Sequence, residues 1–113
     1  MVDAKVLETV NYFSTRIRES GIRIDNLILF GSSSTGTARP GSDIDIAIIS
    51  DDFSGRDIFD RALLTRDAEL TTIRKFRVPL DIITLTTEEL ADPASPIAGV
   101  LRKGIDLLPA SSA

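Results

Sequence analysis

The chain has 113 residues, of which 42% are hydrophobic and 27% are charged. This length fits one domain, and the composition is that of a folded protein rather than a disordered one. Cysteine and histidine are absent, which excludes disulfide frameworks, zinc sites built on those residues, and Ser-His-Asp or Cys-His catalysis. Any metal ion must therefore be bound by oxygen ligands, which suits a hard cation such as Mg²⁺, Mn²⁺ or Ca²⁺.

The formal net charge is −4, with 13 basic and 17 acidic residues. Proteins that bind nucleic acids tightly gain affinity from many Lys and Arg contacts to phosphates, so we expect no stable nucleic-acid binding. The N-terminus lacks the apolar core of a signal peptide, and no apolar run approaches the ~20 residues that span a bilayer. These features predict a cytoplasmic protein that does not enter the membrane.

Apolar periodicity and turn residues predict these elements in chain order: a helix over 4–20, a strand over 24–30, a short helix beginning at Ser32 or Ser33, a strand over 43–49, a helix over 54–76, a strand over 78–85, a turn of helix after Thr86, a helix from Ser95-Pro96 to Gly104, and an edge strand over 105–108. This order predicts a single α/β (α+β) domain over 1–113, with a small mixed β-sheet and flanking helices.

The helix over 54–76 carries apolar residues at a helical period, and we expect them to face the core. These residues are Ile58, Phe59, Ala62, Leu63, Leu70, Ile73 and Phe76. We expect the charged residues between them to form exposed surfaces of the helix. Those residues are Asp57, Asp60, Arg61, Arg66, Asp67 and Glu69.

Two aspartates are separated by one residue in the predicted strand over 43–49. Because side chains alternate along a strand, Asp43 and Asp45 point to the same face, about 7 Å apart. Carboxylates this close repel each other, and a divalent cation between them relieves the repulsion. The structural alternative is that Asp43 caps a turn and Asp45 is solvated, although Asp45 lies in an apolar stretch where solvation is hard to supply.

Gly31 and Ser32 follow the first predicted strand. A glycine lets backbone amides approach a phosphate, and a helix that begins there directs its positive end toward it. The alternative is an ordinary strand-to-helix turn that needs a glycine and a serine cap. Gly31 and Gly36 have the outer spacing of a P-loop, but Thr37-Ala38 stand where that loop has Lys followed by Ser or Thr, which excludes a P-loop NTPase.

A third aspartate, Asp81, interrupts the apolar strand over 78–85. If that strand lies beside the strand over 43–49, Asp81 can face the same site as the other two aspartates. Three carboxylates from two strands can hold two metal ions, one to activate an attacking hydroxyl and one to stabilise a leaving pyrophosphate. The structural alternative for Asp81 is an ion pair with Arg77.

The segment Leu29-Phe30-Gly31-Ser32 is followed, ten residues later, by Asp43-Ile44-Asp45-Ile46. This pattern resembles the Gly-Ser-x10-Asp-x-Asp motif of the DNA polymerase beta-like nucleotidyltransferase superfamily. The short chain is most similar to the minimal nucleotidyltransferase (MNT) branch. The resemblance is strong over 27–49 and looser over 78–85.

The resemblance implies a palm-like sheet, two Mg²⁺ ions, and transfer of a nucleoside monophosphate, AMP where ATP is the donor, to an acceptor hydroxyl. Carried over by position, Asp43, Asp45 and Asp81 would be the catalytic metal ligands, and Asp81 would assist deprotonation of the acceptor. The triphosphate would lie against residues in and after the Gly-Ser turn: Gly31, Ser32, Ser33, Gly36, Arg39 and Ser42.

The segment after the Gly-Ser pair departs from the family pattern. Many minimal members carry Arg there, whereas this chain has Ser33-Ser34-Thr35-Gly36 and no basic residue before Arg39. We expect the phosphate charge to be neutralised by Arg39, by Arg102 and Lys103, or by a second subunit, which leaves a homo-oligomer as an open alternative.

Minimal members often pair with a small helical protein of the HEPN type, as antitoxin to its ribonuclease toxin, and some transfer AMP to a tyrosine of that partner. The resemblance therefore implies a HEPN-type partner for this chain. A chain of 113 residues leaves little room for an acceptor-binding domain, which favours the same interpretation. Two alternatives stay open: a weak or inactive module that binds and masks a partner, and an enzyme acting on a small molecule such as an aminoglycoside, or on an RNA end.

Overall fold

The computed structural model describes residues 3–35 and 42–107. In this part of the chain the elements are α1 (Ala4–Glu19), β1 (Asn26–Phe30), α2 (Ser32–Thr35), β2 (Ile44–Ile49), a turn of 3-10 helix (Asp51–Phe53), α3 (Ile58–Phe76), β3 (Leu80–Leu85), α4 (Thr87–Ala91), α5 (Pro96–Arg102) and β4 (Ile105–Asp106). The predicted order and type of the elements are confirmed, and the side chain of Asp3 caps the start of α1. None of the helices in these residues is both long enough and apolar enough to cross a bilayer.

The described strands form one mixed sheet in the order β3-β2-β1-β4. β1 pairs antiparallel with β2 and with β4, whereas β2 and β3 are parallel. A parallel pair needs a long crossover, and α3 provides it between β2 and β3. The predicted class, a small mixed sheet with flanking helices, is confirmed.

The sheet separates two apolar clusters. On one face, α1 and α3 pack against alternate residues of β2, and Phe13 and Phe53 are fully buried there. On the other face, α4 and α5 cover a smaller cluster that contains Ala47, Ile49 and Leu101. The alternation along β2 assigns its odd-numbered residues, Asp45 included, to the face covered by α4 and α5.

Helix α3 buries a different face from the one that the sequence predicts. Ile58, Phe59 and Leu63 were expected in the core, but they are 72%, 77% and 66% exposed. The buried residues are instead Thr65, Ala68 and Thr72. Burial of threonine is tolerated because each hydroxyl donates to a carbonyl of the preceding turn, as Thr72 Oγ1 does to Ala68 at 2.6 Å. These small side chains line the face of α3 that meets the core.

Arg61 was also expected on an exposed face of α3, and this expectation is wrong. Its side chain is only 11% exposed and lies 2.7 Å from a carboxylate oxygen of Glu89. The same guanidinium donates to the carbonyl of Thr84. Glu89 also forms a capping box with Thr86 at the start of α4. Arg61 therefore ties the start of α3 to β3 and α4.

Candidate active site

The acidic residues lie at one end of the sheet, where the parallel strands begin. Asp45 is the second residue of β2 and pairs in register with Asp81 on β3. Residues that pair in a sheet point to the same face, so both carboxylates lie on the face covered by α4 and α5. Asp43 directly precedes β2 and is exposed. The structure thus brings Asp81 beside the Asp-x-Asp pair, as the sequence predicts.

The pKa of Asp45 reflects this crowding of carboxylates. Partial burial raises it above the ordinary value of 3.8, and the charge of Asp81 raises it further. A hydrogen bond to Asp81 and the charge of Asp43 act in the same direction. Such a pair can share one proton between two oxygen atoms, or bind a cation in place of that proton.

Gly31 is in direct contact with the carboxylate of Asp45. A Cβ atom at this position would overlap the Asp45 carboxylate and lie 3.0 Å from its Cγ atom. The φ angle of Gly31 is 69°, in the left-handed region that side chains rarely adopt. The glycine therefore allows the chain to turn sharply after β1 while leaving space for the carboxylate of β2.

The turn after β1 is closed by a serine that the sequence did not single out for this role. The hydroxyl of Ser34 donates to the carbonyl of Gly31 at 2.8 Å, and the Ser34 amide donates to the same atom at 3.1 Å. Ser32 begins the single turn of helix α2, as predicted. The Gly-Ser turn is thus held in a fixed position beside Asp45.

A cleft of about 600 Å³ opens on the side of the Gly-Ser turn that faces α5. Its walls are formed by Phe30, Gly31, Ser32, Ser34, Pro96, Gly99, Val100, Lys103 and Gly104. Phe30 pairs with Asp45 across β1 and β2, so the phenyl ring and the carboxylate lie on the same face of the sheet. Asp81, Asp45, Phe30 and this cleft therefore form a continuous row at one end of the sheet.

The other residues predicted to bind the triphosphate are distributed as follows. Ser42 directly precedes Asp43 and is half-buried. Ser33 is the second residue of α2. Gly36 and Arg39 lie outside the described residues. Their assignment as nucleotide-binding residues stays a prediction.

The donor atoms near Asp45 are chemically suited to a hard divalent cation. Asp45 and Asp81 offer carboxylate oxygens at one place, and the cleft lined by Gly31 and Ser32 opens at the neighbouring Gly-Ser turn. Over residues 3–35 and 42–107, no three acidic, histidine or cysteine side chains are grouped closely enough to form a ligand set. Mg²⁺ commonly binds through one or two carboxylates together with substrate phosphates and water, and the Asp45–Asp81 pair fits that mode. Asp43 as a further metal ligand stays a prediction.

Glu69 was expected on the exposed surface of α3, yet it is half-buried. Burial raises its pKa, and the charge of Asp81 raises it further. The alternative partner considered for Asp81, Arg77, forms no ion pair with it among the described side chains. Arg77 instead ends α3 in a left-handed conformation. Asp81 therefore interacts electrostatically with two other carboxylates, those of Asp45 and Glu69.

The protein-family model of the nucleotidyltransferase domain matches residues 10–105 of this chain. The chain belongs to this family. The resemblance drawn from the Gly-Ser and Asp-x-Asp residues is thereby confirmed. No curated protein sequence matches this nucleotidyltransferase domain significantly.

Solved structures show the same fold. A protein from Sulfolobus solfataricus, provisionally assigned as a nucleotidyltransferase, is 19% identical and superposes with a TM-score of 0.63 over 89% of this chain and 78% of its own. A toxin–antitoxin structure with AMP-PNP is 22% identical and gives a TM-score of 0.58 over 85% of this chain and 69% of its own. BolA1 from Arabidopsis thaliana also matches, at 20% identity over 68% of this chain and 94% of its own, but with a TM-score of 0.49 that is too low to bear on function.

Proposed function

We propose that this nucleotidyltransferase domain transfers AMP from ATP to a hydroxyl group of a partner protein, with Mg²⁺ as the metal. The contact between Gly31 and Asp45 is the observation that carries the proposal. Nucleotidyl transfer needs an anion-binding turn and metal-binding carboxylates close together, and here a backbone turn touches a carboxylate that is paired with a second one.

In the proposed reaction, the oxygen of the acceptor hydroxyl attacks the α-phosphorus of ATP. A new phosphorus–oxygen bond forms, the bond from the α-phosphorus to the bridging oxygen breaks, and pyrophosphate leaves. We assign Asp81 to receive the hydroxyl proton, since it is exposed and lies on an edge strand of the described sheet. Asp43, Asp45 and Asp81 would hold Mg²⁺, which lowers the pKa of a nearby hydroxyl and neutralises charge on a leaving pyrophosphate.

A partner protein is supported by two observations. Ile58, Phe59, Leu63 and Leu70 form an exposed apolar face on α3, and contiguous apolar surface of this kind often marks a protein contact. A structural neighbour is a toxin–antitoxin complex that contains AMP-PNP, an ATP analogue. We propose a small helical partner of the HEPN type that presents a tyrosine hydroxyl to the carboxylates.

Label transfer from α-³²P-ATP to the partner tests the proposal. The purified chain is incubated with Mg²⁺, labelled ATP and the protein encoded by the adjacent reading frame. We expect label on the partner, and we expect Asp45→Asn and Asp81→Asn to reduce the transfer rate by about 10²-fold or more, because each removes charge from the metal site.

The control is Glu8→Gln, which removes one carboxylate charge at an exposed position of α1. It should transfer label at the rate of the unchanged protein. Absence of transfer by the unchanged protein, or equal rates in the Asp45 and Glu8 variants, would contradict the proposal.

A second candidate function is a module that binds and masks its partner without catalysis. The segment Ser33-Ser34-Thr35 favours it, since basic side chains are absent where many minimal members carry arginine. Titration calorimetry distinguishes the two functions. Tight binding of the partner without detectable binding of ATP and Mg²⁺ would favour the masking module.

A further inference from the structure

The site described above carries a large excess of negative charge. Asp45 and Asp81 are paired across β2 and β3, the charge of Asp43 also acts on Asp45, and Glu69 is electrostatically coupled to Asp81. The phosphates of a nucleoside triphosphate would add several negative charges. A divalent cation offsets part of this charge, and phosphates that extend away from the carboxylates are commonly bound by Arg or Lys side chains.

The cleft beside the Gly-Ser turn contains such a side chain. Among the described residues that line it, Lys103 is the only charged one, and the others are glycines, serines and apolar residues. Lys103 is exposed and caps the C-terminal end of α5. A lysine carries a compact positive charge on a flexible side chain, so a lysine at the rim of a cleft can reach phosphate groups inside it.

Arg102, the neighbouring cation, is engaged elsewhere. Its guanidinium donates to the carbonyl of Leu90 at 2.6 Å and approaches the carbonyl of Asp92 at 3.5 Å. These contacts hold it against the end of α4. Because consecutive residues of a helix point about 100° apart, Arg102 and Lys103 face different surroundings.

Close packing fixes the position of Lys103 relative to the Gly-Ser turn. The next residue, Gly104, lies against β1 so tightly that a Cβ atom there would be 2.6 Å from the Leu29 carbonyl oxygen and 2.7 Å from Ile28 Cγ2. Leu29 is two residues before Gly31. The end of α5 is therefore held beside the strand that leads into the turn.

We propose that Lys103 binds the β- and γ-phosphates of the nucleoside triphosphate in the cleft between the Gly-Ser turn and α5. It thereby supplies the positive charge that the segment after Gly31-Ser32 lacks. This assignment rests on the proposed function, since it requires that the site binds a triphosphate. It also distinguishes Lys103 from Arg102, which the sequence alone left equivalent.

The test is calorimetric binding of AMP-PNP and of AMP, each with Mg²⁺, to the unchanged chain and to three variants. Lys103→Ala should raise the Kd for AMP-PNP about tenfold, as expected for loss of one charged hydrogen bond at an exposed site, and leave the Kd for AMP unchanged. Lys103→Arg should retain most of the affinity. Arg102→Ala removes the same charge one residue away and should leave both Kd values unchanged.

A salt titration gives a readout that a purely structural role would not change. The Kd for AMP-PNP should depend less on ionic strength in Lys103→Ala than in the unchanged chain, because one screened charge pair is lost. Thermal unfolding of each variant checks that the fold is retained.

The outcomes separate this inference from the proposed function. If the unchanged chain binds AMP-PNP and Lys103→Ala binds it equally well, Lys103 is not the phosphate ligand, while AMP transfer still stands. If the unchanged chain binds AMP-PNP through Lys103 but labels no partner, AMP transfer fails and the assignment of Lys103 stands. If the unchanged chain binds no AMP-PNP, both are overturned.

Discussion

The two faces of the sheet are covered in different ways. On one face lie the two longest helices, α1 with 16 residues and α3 with 19, over a cluster that includes Phe13, Ile17 and Phe53. On the other face lie α4 with 5 residues and α5 with 7, over a small cluster around Ala47. The short helices leave the Asp45–Asp81 pair and the cleft accessible. The larger apolar cluster and the candidate active site thus lie on opposite faces of one small sheet.

The largest effect that this comparison predicts is on stability. Phe13 is fully buried on the α1–α3 face, whereas Phe59 on the outer side of α3 is 77% exposed. We expect Phe13→Ala to lower the free energy of unfolding by about 3–5 kcal/mol and Phe59→Ala to change it by less than about 0.5 kcal/mol. Urea unfolding measures both. Similar losses in the two variants would mean that α3 packs through the apolar stripe that the sequence suggested.

The next largest effect concerns the turn that touches Asp45. Gly31→Ala should cost about 1–2 kcal/mol for the left-handed conformation, plus the displacement of the Asp45 carboxylate, and should reduce AMP transfer at least tenfold. Gly55→Ala is the matched control, since Gly55 has a φ angle of 75° and open space around it. Gly55→Ala should show only the conformational cost in thermal unfolding. Normal transfer by Gly31→Ala would show that the contact with Asp45 is not required.

The ion pair between Arg61 and Glu89 predicts a pH dependence of stability. The hydrogen bond from Arg61 is the main cause that lowers the pKa of Glu89 below its ordinary value of 4.5. A lowered carboxyl pKa stabilises the fold at neutral pH, and that contribution is lost as the pH falls below about 4.5 and through the folded-state pKa. Glu89→Gln should therefore be less stable at pH 7 and lose less stability on acidification.

We expect the loss in Glu89→Gln to stay below about 1 kcal/mol, since the Glu89 side chain is 43% exposed and solvent screens the pair. Glu88→Gln, on the same helix but without a contact to Arg61, is the control. Chemical unfolding between pH 3 and 7 measures both variants. Identical pH profiles for Glu89→Gln and the unchanged chain would contradict this role of the pair.

The smallest predicted effect is an increase in stability. The pKa of Asp45 is raised by burial and by Asp81, so its ionised form destabilises the fold at any pH above the folded-state pKa. Without divalent cations, Asp45→Asn should increase the free energy of unfolding at pH 7 by about 0.5–1 kcal/mol, the size expected for relief of like charges on paired strands. Differential scanning calorimetry in EDTA tests this. A lower melting temperature for Asp45→Asn would refute the separation of the two faces.

The strands and their acidic residues could be predicted because a strand has only two faces. Once Ile44, Ile46 and Ile48 are assigned to the core, the side of Asp45 is fixed, and Gly31 marks the end of β1 independently. The alignment of Asp81 with Asp45 needed the further assumption that β2 and β3 are neighbours, which the parallel pairing confirms.

Helix α3 could not be oriented from its sequence, because two of its sides could be buried. Ile58, Phe59 and Leu63 form an apolar stripe, but Thr65 and Thr72 satisfy their hydroxyl groups within the helix and are buried instead. The roles of Arg61 and Arg102 could not be predicted from the sequence for a related reason. Both depend on carboxylate or carbonyl groups of α4 and β3 that are distant in sequence.

The parallel pairing of β2 with β3 also bears on how the protein folds. Asp45 and Asp81 become neighbours only when β2 and β3 pair across the α3 crossover, so local structure alone cannot bring the two carboxylates together. A ligand that requires both residues binds only the native state. At a hundred times its dissociation constant it would add about 2.7 kcal/mol to the unfolding free energy, so that protection against heat by a divalent cation would report completion of the fold.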